Sequence, residues 1–156
     1  MYNLTVATAH TYFVGEGTWL VHNHCKAIVL GRNTYAPQFA EKNGGHYYTD
    51  WDKEGIVTFK DILEYELKNG KQPSSRFFEF QFPTAMENAN TVKFTLGGIE
   101  DDIEAAIRNG AKGPYTVPHN FTNHELYLIL TNRAWYDKTI FYAANGVKKF
   151  LPFLGD

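Results

Sequence analysis

The order of hydrophobic and polar positions after residue 26 predicts an opening in which strands flank a helix. Residues 27–30 are a short apolar run, typical of a buried strand, that ends at Gly31. Tyr35, Phe39 and Ala40 follow at helical spacing until an Asn-Gly-Gly sequence stops the predicted helix. The aromatic segment 46–49 then predicts a second strand, which gives the order strand, turn, helix, strand.

The middle of the chain predicts one helix and one strand. Thr58 and Asp61 have the spacing of a capping box, which predicts a helix that runs to an Asn-Gly pair. One face of this helix carries the hydrophobic residues Phe59, Ile62, Leu63 and Leu67. Residues 76–82 (RFFEFQF) alternate like a strand, with Arg76 and three phenylalanines on one face and Glu79 on the other.

The last third of the chain predicts two helices and a hairpin. Thr122 and Glu125 repeat the capping-box spacing before an apolar run, which predicts the start of a helix. Asn145 and Gly146 form the dipeptide favoured in two-residue hairpin turns. The predicted elements are a strand at 91–96, helices at 101–108 and 122–130, and a hairpin over 139–150.

Strands that alternate with helices predict an α/β fold, or an α+β fold if the two kinds of element segregate. We expect a mixed sheet with flanking helices and a C-terminal β-hairpin. The 156 residues are enough for one domain with a core but fewer than two ordinary domains need. The sequence suggests one boundary, so we predict two parts, residues 1–25 and a domain over residues 26–156.

Residues 1–25 have the pattern of a short β-meander. Three β-prone runs, at 2–6, 11–14 and 18–21, are separated by turns. A meander of this size does not bury its own apolar faces and needs a partner. The blocks YNLTV, AHTYFV, a glycine turn and WLVHN resemble, in this order, the C-terminal end of the Hint (intein-like) domains that precede toxin modules in polymorphic toxins.

The resemblance implies a chemistry and a context. In the Hint family the terminal asparagine, here Asn23, attacks its own carbonyl and cuts the following bond, while His22 and His10 assist as acid and base. We expect residues 1–25 to be a remnant of such a domain. The resemblance also implies a secreted or cell-surface protein with RHS repeats. Its C-terminal toxin would act in the cytoplasm of a competing bacterium and be blocked by a dedicated immunity protein.

Composition narrows the function only a little. The 15 Lys and Arg residues and 17 acidic residues give a net charge of −2, which does not support nucleic-acid binding. The chain has 12 Phe, 10 Tyr and 3 Trp, which fill cores but also line pockets that stack on bases or nicotinamide. The single cysteine, Cys25, excludes an internal disulfide and the zinc set of nucleotide deaminases. No apolar run is long enough for stable membrane insertion, and no metal or cofactor is predicted.

Residues 115–125 are the strongest candidate for catalysis. His119, His124 and Glu125 supply acid and base groups for phosphodiester cleavage, and Tyr115 and Asn120 supply contacts to a substrate. Loops at the start of a helix often bind anions. The structural alternative is that the glutamate only completes the capping box and that the histidines lie on the surface.

Basic residues elsewhere are candidates for binding phosphate. Arg76 on the aromatic run is a candidate for holding a phosphate group; the alternative is that it forms a salt bridge at the edge of the sheet. Lys93 is a candidate of the same kind. Arg32 belongs to a loop, residues 31–35, that follows a strand and leads into a helix, as in nucleotide-binding units. The acidic runs at 50–52 and 100–102 are candidates for a divalent metal, although a turn and a helix start explain them equally well.

Three functions remain open on the sequence. The leading hypothesis is a nuclease, an RNase that acts on tRNA through metal-free acid/base chemistry of the His119–Glu125 segment. The second is an NAD-consuming enzyme, either a glycohydrolase or an ADP-ribosyltransferase, which the aromatic residues and the neutral charge favour. The third is a non-enzymatic binding module. A basic groove would favour the nuclease, and a small closed aromatic pocket would favour the NAD-consuming enzyme.

Overall fold

The computed structural model describes residues 11–13, 20–22, 26–70 and 77–155. The strands are β1 (Thr11–Phe13), β2 (Leu20–His22), β3 (Ala27–Leu30), β4 (Thr91–Thr95), β5 (Thr139–Tyr142) and β6 (Lys148–Lys149). The α-helices are α1 (Ala36–Asn43), α2 (Phe59–Asn69), α3 (Phe82–Asn88), α4 (Ile103–Gly110), α5 (Phe121–Leu130) and α6 (Arg133–Asp137). Two 3-10 turns (Tyr48–Asp50 and Glu100–Asp102) and a π-helical turn (Phe77–Gln81) link them.

The central sheet is mixed and has the order β3-β4-β5-β6. Strands β3, β4 and β5 are parallel, and helices fill the two crossovers between them. Strand β6 pairs antiparallel with β5, with Phe141 opposite Lys149, and Gly146 has a φ of 90° in the turn between them. The predicted α/β fold, with its flanking helices and C-terminal hairpin, is confirmed.

The amino-terminal residues contribute a separate pair of strands. β1 and β2 pair antiparallel, with Thr11 opposite His22. They correspond to two of the three β-prone runs in the sequence. The third predicted run, at residues 2–6, lies outside the described residues.

The core lies on both faces of the sheet because alternate residues of a strand point to opposite sides. Ile28 and Leu30 belong to the larger cluster, which is formed with helices α3 and α5. Val29 points the other way and packs with Ala36 and Phe39 of α1. Helices therefore cover the sheet on both sides. Within the described residues, no helix has the length and apolar character needed to cross a bilayer.

Two glycines allow backbones to approach closely where the candidate site is built. Gly31 has a φ of 140°, and a Cβ atom there would lie 2.5 Å from Cγ2 of Thr95 at the end of β4. Gly110 lies where α4 crosses α5, and a Cβ atom there would lie 2.0 Å from the carbonyl oxygen of Asn123. A side chain at either position would push neighbouring elements apart.

The strand predicted for residues 76–82 is wrong. Phe77–Gln81 forms a π-helical turn that continues directly into α3, and Arg76 lies outside the described residues. A short aromatic run is compatible with both the two-residue period of a strand and the 3.6-residue period of a helix. Here the rings pack as a cluster rather than on one face of a sheet. Pro83 sits in the first turn of α3, where its missing N–H is tolerated.

Two smaller expectations also need correction. The strand predicted at 46–49 is reduced to one parallel bridge between His46 and Ile28, followed by a 3-10 turn. The capping box at Thr58 is confirmed, but the apolar face predicted for α2 is largely exposed to solvent. Ile62 packs against the core, whereas the side chain of Leu67 is 85% exposed.

Candidate active site

A cavity of about 470 Å³ opens at the carboxyl end of β3. One side is formed by Gly31, Arg32 and Asn33, which lead from β3 towards α1. The opposite side is the first turn and a half of α5, including Thr122 and Glu125. Ligands of open α/β sheets bind outside the carboxyl ends of the strands, so this position is the one that the fold favours.

Aromatic rings form much of the cavity wall. Tyr47 and Tyr48 line it from the 3-10 turn, and Phe77 and Phe121 line it from the π-helical turn and α5. The rings of Phe77 and Phe121 stack with centroids 5.9 Å apart, and Tyr48 meets Phe77 edge-on at 6.1 Å. Tyr48 and Phe121 are 49% and 41% exposed, which leaves ring surface free to stack on a planar ligand.

The capping box predicted for Thr122 and Glu125 is wrong. Helix α5 begins at Phe121, and its N-cap residue, Asn120, makes no side-chain capping bond. Glu125 therefore lies in the second turn, where its side chain reaches the cavity instead of the helix terminus. It is only 7% exposed.

Burial controls the protonation of this glutamate. Removal from water raises the pKa of Glu125 to about 8, because desolvation penalises the charged form. No group among the described residues donates a hydrogen bond to its carboxyl group that would offset this penalty. The side chain is therefore mostly a neutral acid at pH 7. Burial also raises the pKa of Tyr47 to about 12, with smaller contributions from Tyr48 and Glu125, so this phenol stays protonated.

Arg32 brings a positive charge to the same cavity. Its Nε atom is buried and has no hydrogen-bond partner within the described part of the chain. A buried donor without an acceptor costs about 1–3 kcal/mol, so the arrangement favours a ligand that supplies an acceptor. Arg32, a predicted substrate-binding residue, therefore lines this cavity, and its role in binding stays a prediction.

The two candidate histidines lie in different surroundings. His119 is exposed at the cavity and has a φ of 63°, in the left-handed region. The Nδ1 atom of His124 is 2.7 Å from the carbonyl oxygen of Gly110, and its ring meets Phe78 edge-on at 4.8 Å. The structure therefore brings His119 and Glu125 to one cavity and places His124 in the contact between α4 and α5.

The predicted substrate contacts at Asn120 and Tyr115 lie away from the cavity lining. Asn120 is 1% exposed, and its Nδ2 donates to the carbonyl oxygens of Asn109 (2.9 Å) and Gly113 (2.5 Å). This amide holds the loop between α4 and α5 together. Tyr115 is exposed and meets Phe121 edge-on at 5.5 Å.

Among the remaining predicted residues that the structure describes, Lys93 does not line this cavity. Lys93 donates to the carbonyl oxygen of Asn43 at 2.7 Å and thereby caps α1. Arg76, His10 and Asn23 lie outside the described residues, and His22 is described only as part of β2.

The acidic runs that were candidates for a metal have structural partners. Asp50 lies 3.6 Å from Lys53, and Asp52 accepts a hydrogen bond from the backbone of Phe59. Asp102 caps α4 by accepting from the backbone N–H of Ala105. Within the described ranges, no group of three or more His, Cys, Asp and Glu side chains is arranged to hold a metal ion.

Sequence reasoning missed most of the aromatic wall. Tyr47, Tyr48, Phe77 and Phe121 are far apart in the chain, and no local motif connects them. The abundance of aromatic residues was the one signal, and it does not tell which rings fill the core. Comparison with the models of known protein families, with curated proteins and with solved structures finds no match for this chain.

Proposed function

We propose that residues 26–156 are the toxin module of a secreted polymorphic toxin, and that it hydrolyses the bond between nicotinamide and ribose in NAD. The observation that carries the proposal is a buried, mostly protonated Glu125 in a cavity walled by aromatic rings. The resemblance of residues 1–25 to the end of a Hint domain supports the role as a toxin. An immunity protein that blocks this cavity is part of the same proposal.

The cavity suits a planar cationic ring. Phe121 and Tyr48 offer exposed ring surface for stacking, and Arg32 offers an unpaired donor to a phosphate oxygen. The volume of about 470 Å³ is in the range of small-molecule pockets and far smaller than a groove for tRNA.

The positive charge on the nicotinamide ring would change the protonation state of Glu125. An opposite charge within a few ångströms lowers the pKa of a carboxyl group, whereas burial alone raises it. In the empty cavity Glu125 keeps its proton, and the arriving pyridinium ring favours the carboxylate. The carboxylate is therefore formed where positive charge develops on the ribose in the transition state, which is the condition for electrostatic stabilisation.

The proposed reaction needs only water as a co-substrate. The bond between C1′ and the pyridinium nitrogen breaks, and its electron pair stays on nicotinamide, which leaves as a neutral molecule. A water oxygen bonds to C1′, and its proton passes to the Glu125 carboxylate and then to solvent. The products are ADP-ribose, nicotinamide and a proton. An ADP-ribosyltransferase would share the first step and use another nucleophile.

A ribonuclease remains the second candidate because His119 lies on the cavity with Glu125. The two side chains are a potential acid/base pair for cleavage of a phosphodiester. The position of His124 removes the second histidine of that hypothesis from the cavity. A cavity that holds Arg32, Glu125 and His119 also argues against a purely non-enzymatic module.

The test uses the full 156-residue chain with NAD and, separately, with total tRNA. We expect release of nicotinamide, measured by chromatography, and intact tRNA on a denaturing gel. Glu125→Gln should lower the release by roughly 10²-fold or more. Discrete tRNA fragments with unchanged NAD would overturn the proposal in favour of the ribonuclease. Inducible expression in a test bacterium should lower cellular NAD within minutes, before any change in total RNA.

A further inference from the structure

A second, smaller cavity lies beside the first. It has a volume of about 230 Å³ and follows β4 in the way that the first cavity follows β3. Gly98 and Ile99, just after β4, form one side, and Asn123 of α5 forms another. Arg32 lines both cavities, which lie at the carboxyl ends of the neighbouring strands β3 and β4.

Asn123 presents a buried acceptor that has no partner. The Nδ2 atom of Asn120 donates to the carbonyl oxygens of Asn109 and Gly113, which fixes the orientation of that amide. Its Oδ1 atom must therefore face Asn123, whose Nδ2 donates to it at 2.8 Å. The Oδ1 atom of Asn123 is left without a donor in the described structure, although the residue is only 7% exposed.

The other groups around this cavity define what it would bind. Asp101 and Asp102 contribute carboxylates, of which one Asp102 oxygen accepts from the N–H of Ala105. Arg32 contributes its buried, unpaired Nε donor. Two carboxylates disfavour a bare phosphate, and the guanidinium disfavours a metal ion. A sugar diol fits because its hydroxyls donate to Asn123 and the acids and also accept from the arginine.

We propose that the second cavity holds the ribose of the non-reacting nucleoside of a dinucleotide, with Arg32 contacting the pyrophosphate between the two halves. The nicotinamide riboside half then lies in the first cavity with Glu125. This inference rests on the proposed function and specifies its substrate class. The enzyme should prefer a dinucleotide to nicotinamide mononucleotide, which reaches only the first cavity.

The first experiment compares kcat/KM for NAD and for nicotinamide mononucleotide. We expect the full chain to favour NAD at least tenfold. Asp101→Asn should lower that ratio about tenfold, as loss of one charge-assisted hydrogen bond predicts. Glu104→Gln, an exposed acid on α4 that lines neither cavity, is the matched control and should retain the ratio. Equal kcat/KM values for the two substrates would overturn the inference and leave the proposed reaction standing.

The second experiment measures binding without turnover. Calorimetry with AMP should give a dissociation constant that Asp101→Asn and Asn109→Phe, whose ring would fill the cavity, each raise at least tenfold. Circular dichroism would verify that both variants are folded. AMP binding that is absent, or equal in all three proteins, would overturn the second site. If AMP binds to the wild type and both variants weaken that binding, but neither NAD nor nicotinamide mononucleotide is cleaved, the second site is retained and the proposed reaction is refuted.

Discussion

The two sides of α5 near its amino end use polar residues in opposite ways. On the side that faces α4, the Asn120 amide donates to two backbone carbonyls and His124 contacts the carbonyl oxygen of Gly110. On the side that faces the first cavity, Glu125 is just as buried but receives no hydrogen bond from the described residues. His124 and Glu125 are adjacent in the sequence, and one step along a helix turns the side chain by about 100°.

This difference separates structural polar groups from functional ones. Buried polar groups that hold a fold together are nearly always paired, because an unpaired one destabilises it. A buried carboxyl group with a strongly raised pKa, in a cavity, is a group whose partner is expected to be a ligand. The same helix turn therefore stabilises the loop between α4 and α5 on one side and presents an acid to the first cavity on the other.

The largest expected effect is on catalysis by Glu125→Gln. The amide is close in size to the carboxyl group but carries no negative charge, so we expect NAD hydrolysis to fall by roughly 10²–10⁴-fold. The assay is nicotinamide release at saturating NAD. Glu41→Gln, an exposed acid on α1, should retain wild-type activity. Activity of Glu125→Gln within tenfold of wild type would exclude Glu125 as the catalytic carboxylate.

The same substitution should stabilise the fold in a way that depends on pH. The pKa of Glu125 is about 8 in the folded protein, against an ordinary value of 4.5. Below pH 4.5 both states hold the proton, whereas between pH 4.5 and 8 only the folded state does, so the wild-type free energy of unfolding falls as pH rises. Glutamine does not titrate, so the free energy of unfolding of the variant does not fall in this way. The difference in the free energy of unfolding between variant and wild type should therefore grow by on the order of 4 kcal/mol between pH 4.5 and pH 8.

Urea unfolding of both proteins at pH 4, 6 and 8 measures this difference. Other titrating groups cancel because they are common to the two proteins. An advantage that is constant over this range would mean that the carboxyl group is not buried in its neutral form. A stabilised but inactive variant would identify Glu125 as a position where function opposes stability.

A third prediction concerns the structural side of the helix. Asn120→Ala removes an amide that joins Asn109, Gly113 and Asn123, and leaves several buried groups unpaired. We expect the free energy of unfolding to fall by about 2–3 kcal/mol. Thermal unfolding by circular dichroism measures the loss, and a change below 0.5 kcal/mol, roughly that of an ordinary surface substitution, would contradict the assigned role.

The fold was largely predictable because its signals are local. The buried strand before Gly31, the capping box at Thr58 and the Asn-Gly hairpin turn each depend on a few adjacent residues. The strand predicted at residues 76–82 is wrong for a physical reason. Closely spaced aromatic residues match the alternation of a strand and also pack together in a helical turn, so the pattern does not distinguish the two. Pro83 was the one local indication that a helix begins there.

The site was predictable only in part because it depends on distant residues. Glu125, His119 and Arg32 were candidates from their residue types, and the fold brings all three to one cavity. The sequence could not distinguish Glu125 from a capping residue, since that depends on where α5 begins. The helix begins two residues earlier than the capping box implies, with Asn120 rather than Thr122 as its N-cap. Tyr47 and Phe77 reach the wall through tertiary packing that no short motif records.

The smallest expected effects concern His119, where two substitutions separate the strain of its backbone conformation from the contribution of its imidazole to the reaction. Its φ of 63° is unfavourable for a residue with a Cβ atom, and strained backbone of this kind concentrates at functional sites. His119→Gly should therefore be more stable than His119→Ala by roughly 0.5–1 kcal/mol in urea unfolding.

Both variants lose the imidazole, so both should lower kcat/KM for NAD by the same factor, about tenfold or less. Equal stabilities would mean that the left-handed backbone is not maintained in solution. Wild-type activity in both variants would place His119 outside the reaction and remove the last histidine that supports a ribonuclease.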